Sequence, residues 1–173
     1  EYTAENGRDD DALALYRTYA RLHLRLFPYE WTHATHLADT GVPLQRPLGL
    51  AYPDLGAHPD DTYLFGDSLL VAPVWKRGAV TRTTWLPPGR WIHWFSGTAY
   101  TGGREVTVDA PLGKLPLFLA EGAVVPMLRP TIDTLAPATM ENVDSFANDA
   151  GVLWVRMVPG SGAFTLWDGG RVA

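Results

Sequence analysis

The sequence predicts a mainly β protein, an antiparallel β-sandwich preceded by one or two α-helices. From Val42 onward, short segments rich in Leu, Val, Thr and Trp alternate with turns built from Pro, Gly and Asp. Helical periodicity is confined to the first 41 residues. With 173 residues, of which 46% are hydrophobic, the chain is long enough to form one ordinary folded domain.

The first helix is predicted over residues 11–27. The aspartates at 9–11 stand where acidic side chains favour a helix N-terminus, through capping and through the helix dipole. Pro28 is expected to interrupt or kink this helix, and a further helix is predicted to end at Gly41. The apolar positions of the first helix recur at helical spacing and are Ala12, Leu15, Tyr16, Tyr19, Leu22 and Leu26.

Ten strands are predicted after the helical part. Turn sequences such as KRG, PPG and EG separate the strands. Because the connections between successive strands are short, an antiparallel sandwich or barrel is favoured over a parallel sheet. Residues 128–150 carry little pattern, so they are read as a long loop or a linker. The strands are predicted at 44–52, 63–66, 68–75, 80–86, 90–95, 104–109, 115–119 and 122–127, in LWVRMV and in AFTLW.

Composition and missing motifs exclude several functional classes. A net charge of -5 without any basic run argues against a nucleic-acid partner. The absence of cysteine excludes disulfides, thiol catalysis and cysteine-ligated zinc. The apolar runs fall short of the roughly 20 residues of a membrane span, so no membrane partner is expected. No glycine-rich phosphate loop and no G-x-S-x-G elbow occurs, and no cofactor is expected.

One helical stretch, EWTHATH, contains possible metal ligands. Glu30, His33 and His36 could share one helical face, and a carboxylate with two imidazoles can bind a metal. A di-iron bundle needs the same motif on a second helix, and a zinc helix needs two histidines four residues apart. Because neither is present, we expect solvated or capping histidines and no metal site.

The acidic zone at 54–67 is the densest after the N-terminal one. Asp60 and Asp61 lie in it, but the zone lacks the spacing and the closing Glu of a calcium loop. Asp67 is read instead as a turn residue. A glycosidase needs two acids that face each other across a cleft, and nothing in the sequence pairs any two of these. No catalytic residue is predicted.

The stretch LPPGRWIHWFSG, residues 86–97, raises the question of whether its aromatic rings fill a core or bind a ligand. In a strand, Trp91 and His93 point to one side and Trp94 to the other, so both faces are mostly apolar. This pattern favours a strand that is covered on both sides. Trp91 and Trp94, together with Trp75, are nevertheless the candidates for stacking on a sugar ring.

Four motifs follow one another along the chain. They contain Arg46-Pro47-Leu48; the run Gly66 to Pro73; Leu86-Pro87 with Gly89-Arg90-Trp91; and Pro116 to Phe118 together with Gly122 to Pro126. In this order the motifs resemble the C-terminal part of glycoside hydrolase family 31. The resemblance covers about residues 15–127, and the tail is a weaker match to the start of a distal sheet. His93 departs from the family pattern, which usually has an acid there, and Phe95 stands where the family often has Trp.

The resemblance implies a parent enzyme that cleaves α-glycosides with retention, using two Asp residues on a (β/α)8 barrel. Such a barrel takes about 250 residues, so this chain cannot contain it, and the fragment is expected to be inactive alone. The implied partners are the missing barrel and, for the parent, α-linked sugars. The implied division is a terminal barrel helix segment at 1–41, a proximal sandwich at 42–127 and a linker with closing strands at 128–173.

Two other functions stay open on the sequence. The first is an independent carbohydrate-binding sandwich in which Trp75, Trp91 or Trp94 stacks on sugar rings. The second is an interaction module whose aromatic edge meets another subunit, so an oligomer is possible. The sequence does not indicate the cellular compartment.

Overall fold

The computed structural model describes residues 10–56, 59–169 and 171–172. Two compact units make up the chain. One consists of the chain up to Tyr29 together with Pro126–Val155, and the other of Glu30–Val125 together with the residues from Arg156 onward. Within the described ranges, no helix is long and apolar enough to cross a membrane.

Two helices open the described chain, α1 over Asp10–Arg25 and α2 over Phe27–Thr40. The predicted break near Pro28 is confirmed, although the proline itself lies in the first turn of α2. A proline fits there because the first helical N–H groups have no partner within the helix. Gly41 ends α2 with a positive φ of 67°, and its N–H donates to the carbonyl of Leu37 at 2.9 Å.

Short antiparallel strands form most of the remaining regular structure. In the described part they are β1 Gln45–Pro47, β2 Tyr63–Phe65, β3 Leu69–Val71, β4 Thr81–Leu86, β5 Arg90–His93, β6 Ala99–Thr101, β7 Arg104–Asp109, β8 Leu117–Ala120, β9 Val124–Met127, β10 Trp154–Met157, β11 Trp167–Asp168 and β12 Arg171–Val172. A four-residue helix, α3 Leu48–Ala51, and a 3₁₀ turn at Pro53–Leu55 lie between β1 and β2.

The structure corrects four of the predicted segments. The strand predicted at 68–75 is limited to Leu69–Val71. The strand predicted at 44–52 ends at Pro47, which has no N–H for a ladder and directly precedes α3. The strand predicted in AFTLW is reduced to Trp167, the first residue of β11. β6 lies between the strands predicted at 90–95 and 104–109, where the sequence predicts no strand; Gly97 adopts a φ of 71° there and allows a tight connection from β5.

The larger sheet has the strand order β1-β2-β3-β8-β5-β6, and each neighbouring pair of its strands is antiparallel. The register aligns Leu64, Leu70, Phe118 and His93 across four neighbouring strands. The pair β4–β7 supplies the second layer, and side chains of both layers form one core. The buried members of this core are Leu48, Leu64, Leu70, Leu86, Trp91, Val106, Val108 and Phe118. The predicted β-sandwich is therefore confirmed.

Gly102 brings two backbone segments of the sandwich into close contact. Its N–H donates to the carbonyl of Gly89 at 2.7 Å. A Cβ atom at position 102 would lie 1.8 Å from the carbonyl oxygen of Pro87. Because that neighbour is backbone and cannot move aside cheaply, only glycine fits this position.

After β10 the chain returns to the sandwich unit. The N–H of Val158 donates to the carbonyl of Ala123 at 3.0 Å, and the N–H of Gly122 donates to the carbonyl of Pro159 at 3.4 Å. A Cβ atom at Gly162 would lie 2.0 Å from the Gly122 carbonyl oxygen, so the two backbones pass very close together. We call residues 156–167 the return segment.

The segment 128–150, predicted as a loop or linker, is a loop folded around Arg129. The guanidinium donates to both carboxylate oxygens of Asp144, with Nε 2.9 Å from each. It also donates to the carbonyls of Ser145 and Ala150, at 3.2 Å in each case. Donors on Arg129 and Thr131 favour the charged carboxylate and hold the pKa of Asp144 at about 2.

Candidate functional site

Trp91 lies in the core of the sandwich, where only 2% of its surface is exposed. Its indole Nε1–H donates to the carbonyl oxygen of Pro87 at 2.8 Å, which satisfies the polar atom of a buried ring. It packs within the same cluster as Leu86 and Phe118. The ring presents no face to a ligand, so the interpretation of Trp91 as a packing residue agrees with its position.

Trp94 is also buried, with 5% of its surface exposed. The guanidinium carbon of Arg156 lies 3.9 Å from the centre of its ring, in the geometry of a cation–π contact. The same guanidinium donates a hydrogen bond to the carbonyl oxygen of Trp94. The return segment therefore covers this ring, and Trp94 does not form a surface platform.

Trp75 differs from both, because 72% of its surface is exposed. It lies in the connection from β3 to β4, four residues beyond the end of β3. Its Nε1–H donates to Oδ2 of Asp61 at 2.8 Å, so the exposed ring is tethered at its polar edge. Of the three stacking candidates, Trp75 alone offers a ring face to solvent.

Asp61 is itself held by β4. Nη2 of Arg82 lies 2.6 Å from Oδ1 of Asp61, and the Arg82 side chain is largely buried. The neighbouring Thr62 is buried and shares a 2.8 Å hydrogen bond with the hydroxyl of Thr84. Burial opposes the charge on Asp61, but the hydrogen bonds from Arg82 and Trp75 outweigh it and lower the pKa of the carboxyl.

A groove of about 780 Å³ adjoins the Trp75 ring, and we call it the Trp75 groove. Its lining combines aromatic, cyclic and hydrogen-bonding side chains. They are Gln45, Pro59, Asp60, Asp61, Tyr63, Pro73 and Trp75. Sequence reasoning named Trp75 but missed Arg82, because Arg82 lies 21 residues from Asp61, on a strand that pairs with β7 and not with β2, and such a contact leaves no local signal.

His93 borders a separate cavity of about 280 Å³, which Ser96, Asp109 and Lys114 also line. Nδ1 of His93 accepts a hydrogen bond from the backbone N–H of Ser96 at 3.2 Å, which requires a ring without a proton on that nitrogen. Burial, and to a lesser extent the charge of Lys114, lower the pKa of the imidazole. The arrangement favours a neutral, packed histidine at this position.

One of the candidate metal ligands of α2, His33, lies near an ion pair. Asp67, in the turn between β2 and β3, accepts from Nη2 of Arg46 at 2.5 Å. Burial lowers the pKa of His33; the charge of Asp67 raises it, and those of Arg46 and His36 lower it. Across the described ranges, no three His, Asp or Glu side chains are grouped to hold a metal ion. Asp67 is a turn residue as predicted, and its carboxylate pairs with a neighbouring strand.

Comparisons with known proteins support the family resemblance that the four motifs indicated. Residues 41–125 match the family model for the glycosyl hydrolase family 31 C-terminal domain. The chain is 41% identical over 115 residues to a sulfoquinovosidase of Agrobacterium fabrum, which covers 64% of this chain and 17% of that protein. It is 30% identical over 154 residues to an α-xylosidase of Saccharolobus solfataricus, covering 87% of this chain and 20% of that protein.

A solved structure extends the match to nearly the whole chain. The cycloalternan-forming enzyme from Listeria monocytogenes, in complex with a pentasaccharide substrate, superposes with a TM-score of 0.80 at 30% identity. The superposition covers 98% of this chain and 16% of that one. The chain thus spans a fifth or less of these relatives. It belongs to glycosyl hydrolase family 31, and residues 41–125 are the C-terminal domain of that family.

Proposed function

We propose that this chain is the non-catalytic C-terminal portion of a retaining α-glycosidase, in which it supports the catalytic barrel. The observation that carries the proposal is the match of residues 41–125 to the family's C-terminal domain in a chain that spans 17% of a related glycosidase. The barrel that holds the catalytic acids takes about 250 residues and lies outside this chain. The domain division at 1–41, 42–127 and 128–173 belongs to the same proposal.

The exposed apolar surface of α1 supports the proposal that this helix packs against a part of the enzyme outside this chain. Its apolar stripe is expected to face a protein surface, yet 59% of Tyr16 is exposed and Leu15 and Leu22 are only half-buried. Only Leu26, just beyond the helix, is buried. A partly exposed apolar stripe of this kind is typical of a helix that packs against another part of a larger protein. We assign α1 as the last helix of the barrel.

A second exposed apolar stretch lies before and within β10. Four consecutive apolar residues, Val152 to Val155, each have 46% or more of their surface exposed. Four exposed apolar residues in a row exceed the scattered single residues that a protein surface normally carries. We assign this stretch, like α1, to contact with the absent part of the enzyme.

The proposal is tested by separating the two parts of the enzyme. The purified chain is expected to leave 4-nitrophenyl α-glucoside and α-xyloside intact, because it contains no catalytic pair. The upstream part, expressed without residues 42–173, is expected to be insoluble or rapidly inactivated. Expression of the two parts together should recover soluble, active enzyme, which is measured as hydrolysis of the same substrates.

A matched pair of variants distinguishes support from catalysis. In the complete enzyme, Trp91→Ala is expected to shorten the half-life of activity at elevated temperature while leaving kcat/KM unchanged at low temperature. Trp75→Ala, at an exposed position, should leave both unchanged with small soluble substrates. Hydrolysis by the purified chain alone, or full stability of an enzyme that lacks it, contradicts the proposed role.

An independent carbohydrate-binding module is the second candidate function. Two of its three proposed platforms, Trp91 and Trp94, are buried. The exposed and tethered ring of Trp75 is the observation that still favours sugar binding by this domain.

A further inference from the structure

We propose that the Trp75 groove is a surface binding site for an α-linked gluco-oligosaccharide, with one pyranose ring stacked on the Trp75 indole. The site is additional to the supporting role of the domain. It rests on the proposed function only for the α-linkage of the sugar. The preference for a sugar follows from the exposure, the tethering and the chemistry of the groove itself.

The exposure of Trp75 has no explanation in the packing of the sandwich. An indole is the largest apolar side chain, and Trp91 and Trp94 show how this domain buries one. Trp75 instead keeps 72% of its surface in water, beside an open groove. A ring in this position contributes little to the core and is free to cover the apolar face of a ligand.

The ring is also held in one orientation before any ligand arrives. Its Nε1–H is 2.8 Å from Asp61, and Asp61 is 2.6 Å from Arg82, which belongs to β4. A side chain that is already fixed loses little conformational entropy on binding, so more of the contact energy appears as affinity. The chain of contacts from Trp75 through Asp61 to Arg82 provides that fixation.

The polar lining of the groove matches the edge of a sugar ring. Gln45 and Tyr63 lie on the same face of the β1–β2 pair, since Gln45 pairs with Phe65 and Tyr63 with Pro47. Carboxylates such as that of Asp60 accept hydrogen bonds from hydroxyls, whereas an amide and a phenol both donate and accept. A pyranose presents C–H groups on its face and hydroxyls around its rim, which is the combination that this lining serves.

A surface of the absent part of the enzyme is a less suitable occupant of the Trp75 groove than a sugar. Asp60 is exposed there, and a protein surface laid over it would bury a carboxylate at a cost unless it brought a cation. A neutral, hydroxyl-rich ligand leaves that carboxylate solvated or hydrogen-bonded. The open shape of the groove also suits an oligosaccharide that binds along a surface, with an affinity on the order of 1 mM.

Binding at the site can be observed directly through the indole N–H resonances of the seven tryptophans. The chain, labelled with ¹⁵N, is titrated with isomaltotriose, maltotriose and cellotriose, each to about 20 times the expected dissociation constant. The Trp75 Nε1–H resonance, assigned from Trp75→Phe, is expected to shift in a saturable manner. The buried indoles of Trp91 and Trp94 report in the same spectrum that the chain is folded.

Three variants give the quantitative test by calorimetry. Trp75→Ala is expected to weaken binding at least about 10-fold, and Trp75→Phe to weaken it less, because a ring remains. Trp154→Ala, which removes another half-exposed indole, should bind like the parent. Equal affinity of Trp75→Ala and parent, or no shift of Trp75 with any of the three sugars, overturns the site.

The linkage of the bound sugar tests the proposed function separately. Preference for isomaltotriose or maltotriose over cellotriose supports both the site and its place in an α-glycosidase. Equal binding of cellotriose at Trp75 supports the stacking site and overturns the α-linkage. If the buried indoles show that the chain does not fold alone, calorimetry of the complete enzyme with and without Trp75→Ala decides the question by the same criterion.

Discussion

Replacing Trp91 by alanine should remove much of the stability of the sandwich. The side chain is 2% exposed, so the substitution deletes a whole buried indole and leaves a cavity, at a cost of about 3–5 kcal/mol. The carbonyl of Pro87 also loses its buried donor, which adds about 1 kcal/mol. The cavity dominates, and the sum approaches the total stability of a small domain, about 5–15 kcal/mol.

The measurement is unfolding in urea, followed by far-ultraviolet circular dichroism, which does not depend on the tryptophan that is removed. With a denaturant dependence of about 2 kcal/mol per molar urea, the midpoint should fall by about 2–3 M. Trp91→Phe keeps most of the apolar area and loses the hydrogen bond to Pro87, so we expect a cost of about 1–2 kcal/mol.

Trp75→Ala is the matched control, because the same atoms are removed from an exposed position. It also loses the exposed hydrogen bond to Asp61, so its unfolding free energy should fall by no more than about 1 kcal/mol. A midpoint of Trp91→Ala equal to that of the parent would refute the packing interpretation of this strand. Equal losses of unfolding free energy in Trp91→Ala and Trp75→Ala would refute the difference in burial between the two side chains.

Three further predictions follow from individual contacts. The Asp144 carboxyl should titrate with a pKa of about 2 in a carbon-13 NMR titration; its stabilising effect is complete above the unfolded pKa of about 4 and is lost as the pH falls toward 2. Arg129→Lys should raise that pKa, and an unchanged value would contradict the assignment of the shift to the guanidinium. Burial lowers the folded-state pKa of His93, so its contribution to stability is complete above the unfolded pKa of about 6.5 and declines as the pH falls below it. His93→Gln should therefore reduce the fall in melting temperature between about pH 7.5 and 5 relative to the parent. Part of that fall should remain, because the pKa of His33 is lowered as well. An unaltered pH dependence of the melting temperature would count against a neutral buried imidazole. Gly102→Ala should cost about 1–3 kcal/mol in a urea titration, since its Cβ would overlap a backbone carbonyl, and a stable variant would show that the two segments can separate.

Periodicity was sufficient to predict the helices and most strands. The apolar spacing and Gly41 predicted α1 and α2, and alternating segments predicted β4 and β7 within a residue at one end. The apolar character of both faces of β5 likewise predicted burial of Trp91 and Trp94. These features depend on residues that are close together in the chain, which is why a local pattern reveals them.

Features that depend on distant residues could not be predicted. β6 consists of Ala, Tyr and Thr between turn residues, and it is a strand because β5 pairs with it. The sequence around Trp75 does not distinguish its exposed ring from the buried tryptophans. Its hydrogen bond to Asp61 depends on β4, because Arg82 on that strand holds the Asp61 carboxylate. Long-range pairing depends on the register between strands, which no short segment encodes.

The return segment affects where this domain can be cut. The family match ends at residue 125, yet Val158 bonds to Ala123 and Arg156 covers the ring of Trp94. A protein trimmed to residues 41–125 would expose that aromatic face and leave the carbonyl of Ala123 without this donor. The boundary of the family model therefore differs from the boundary that the packing of the polypeptide requires, and recombination or truncation between related enzymes should respect the second.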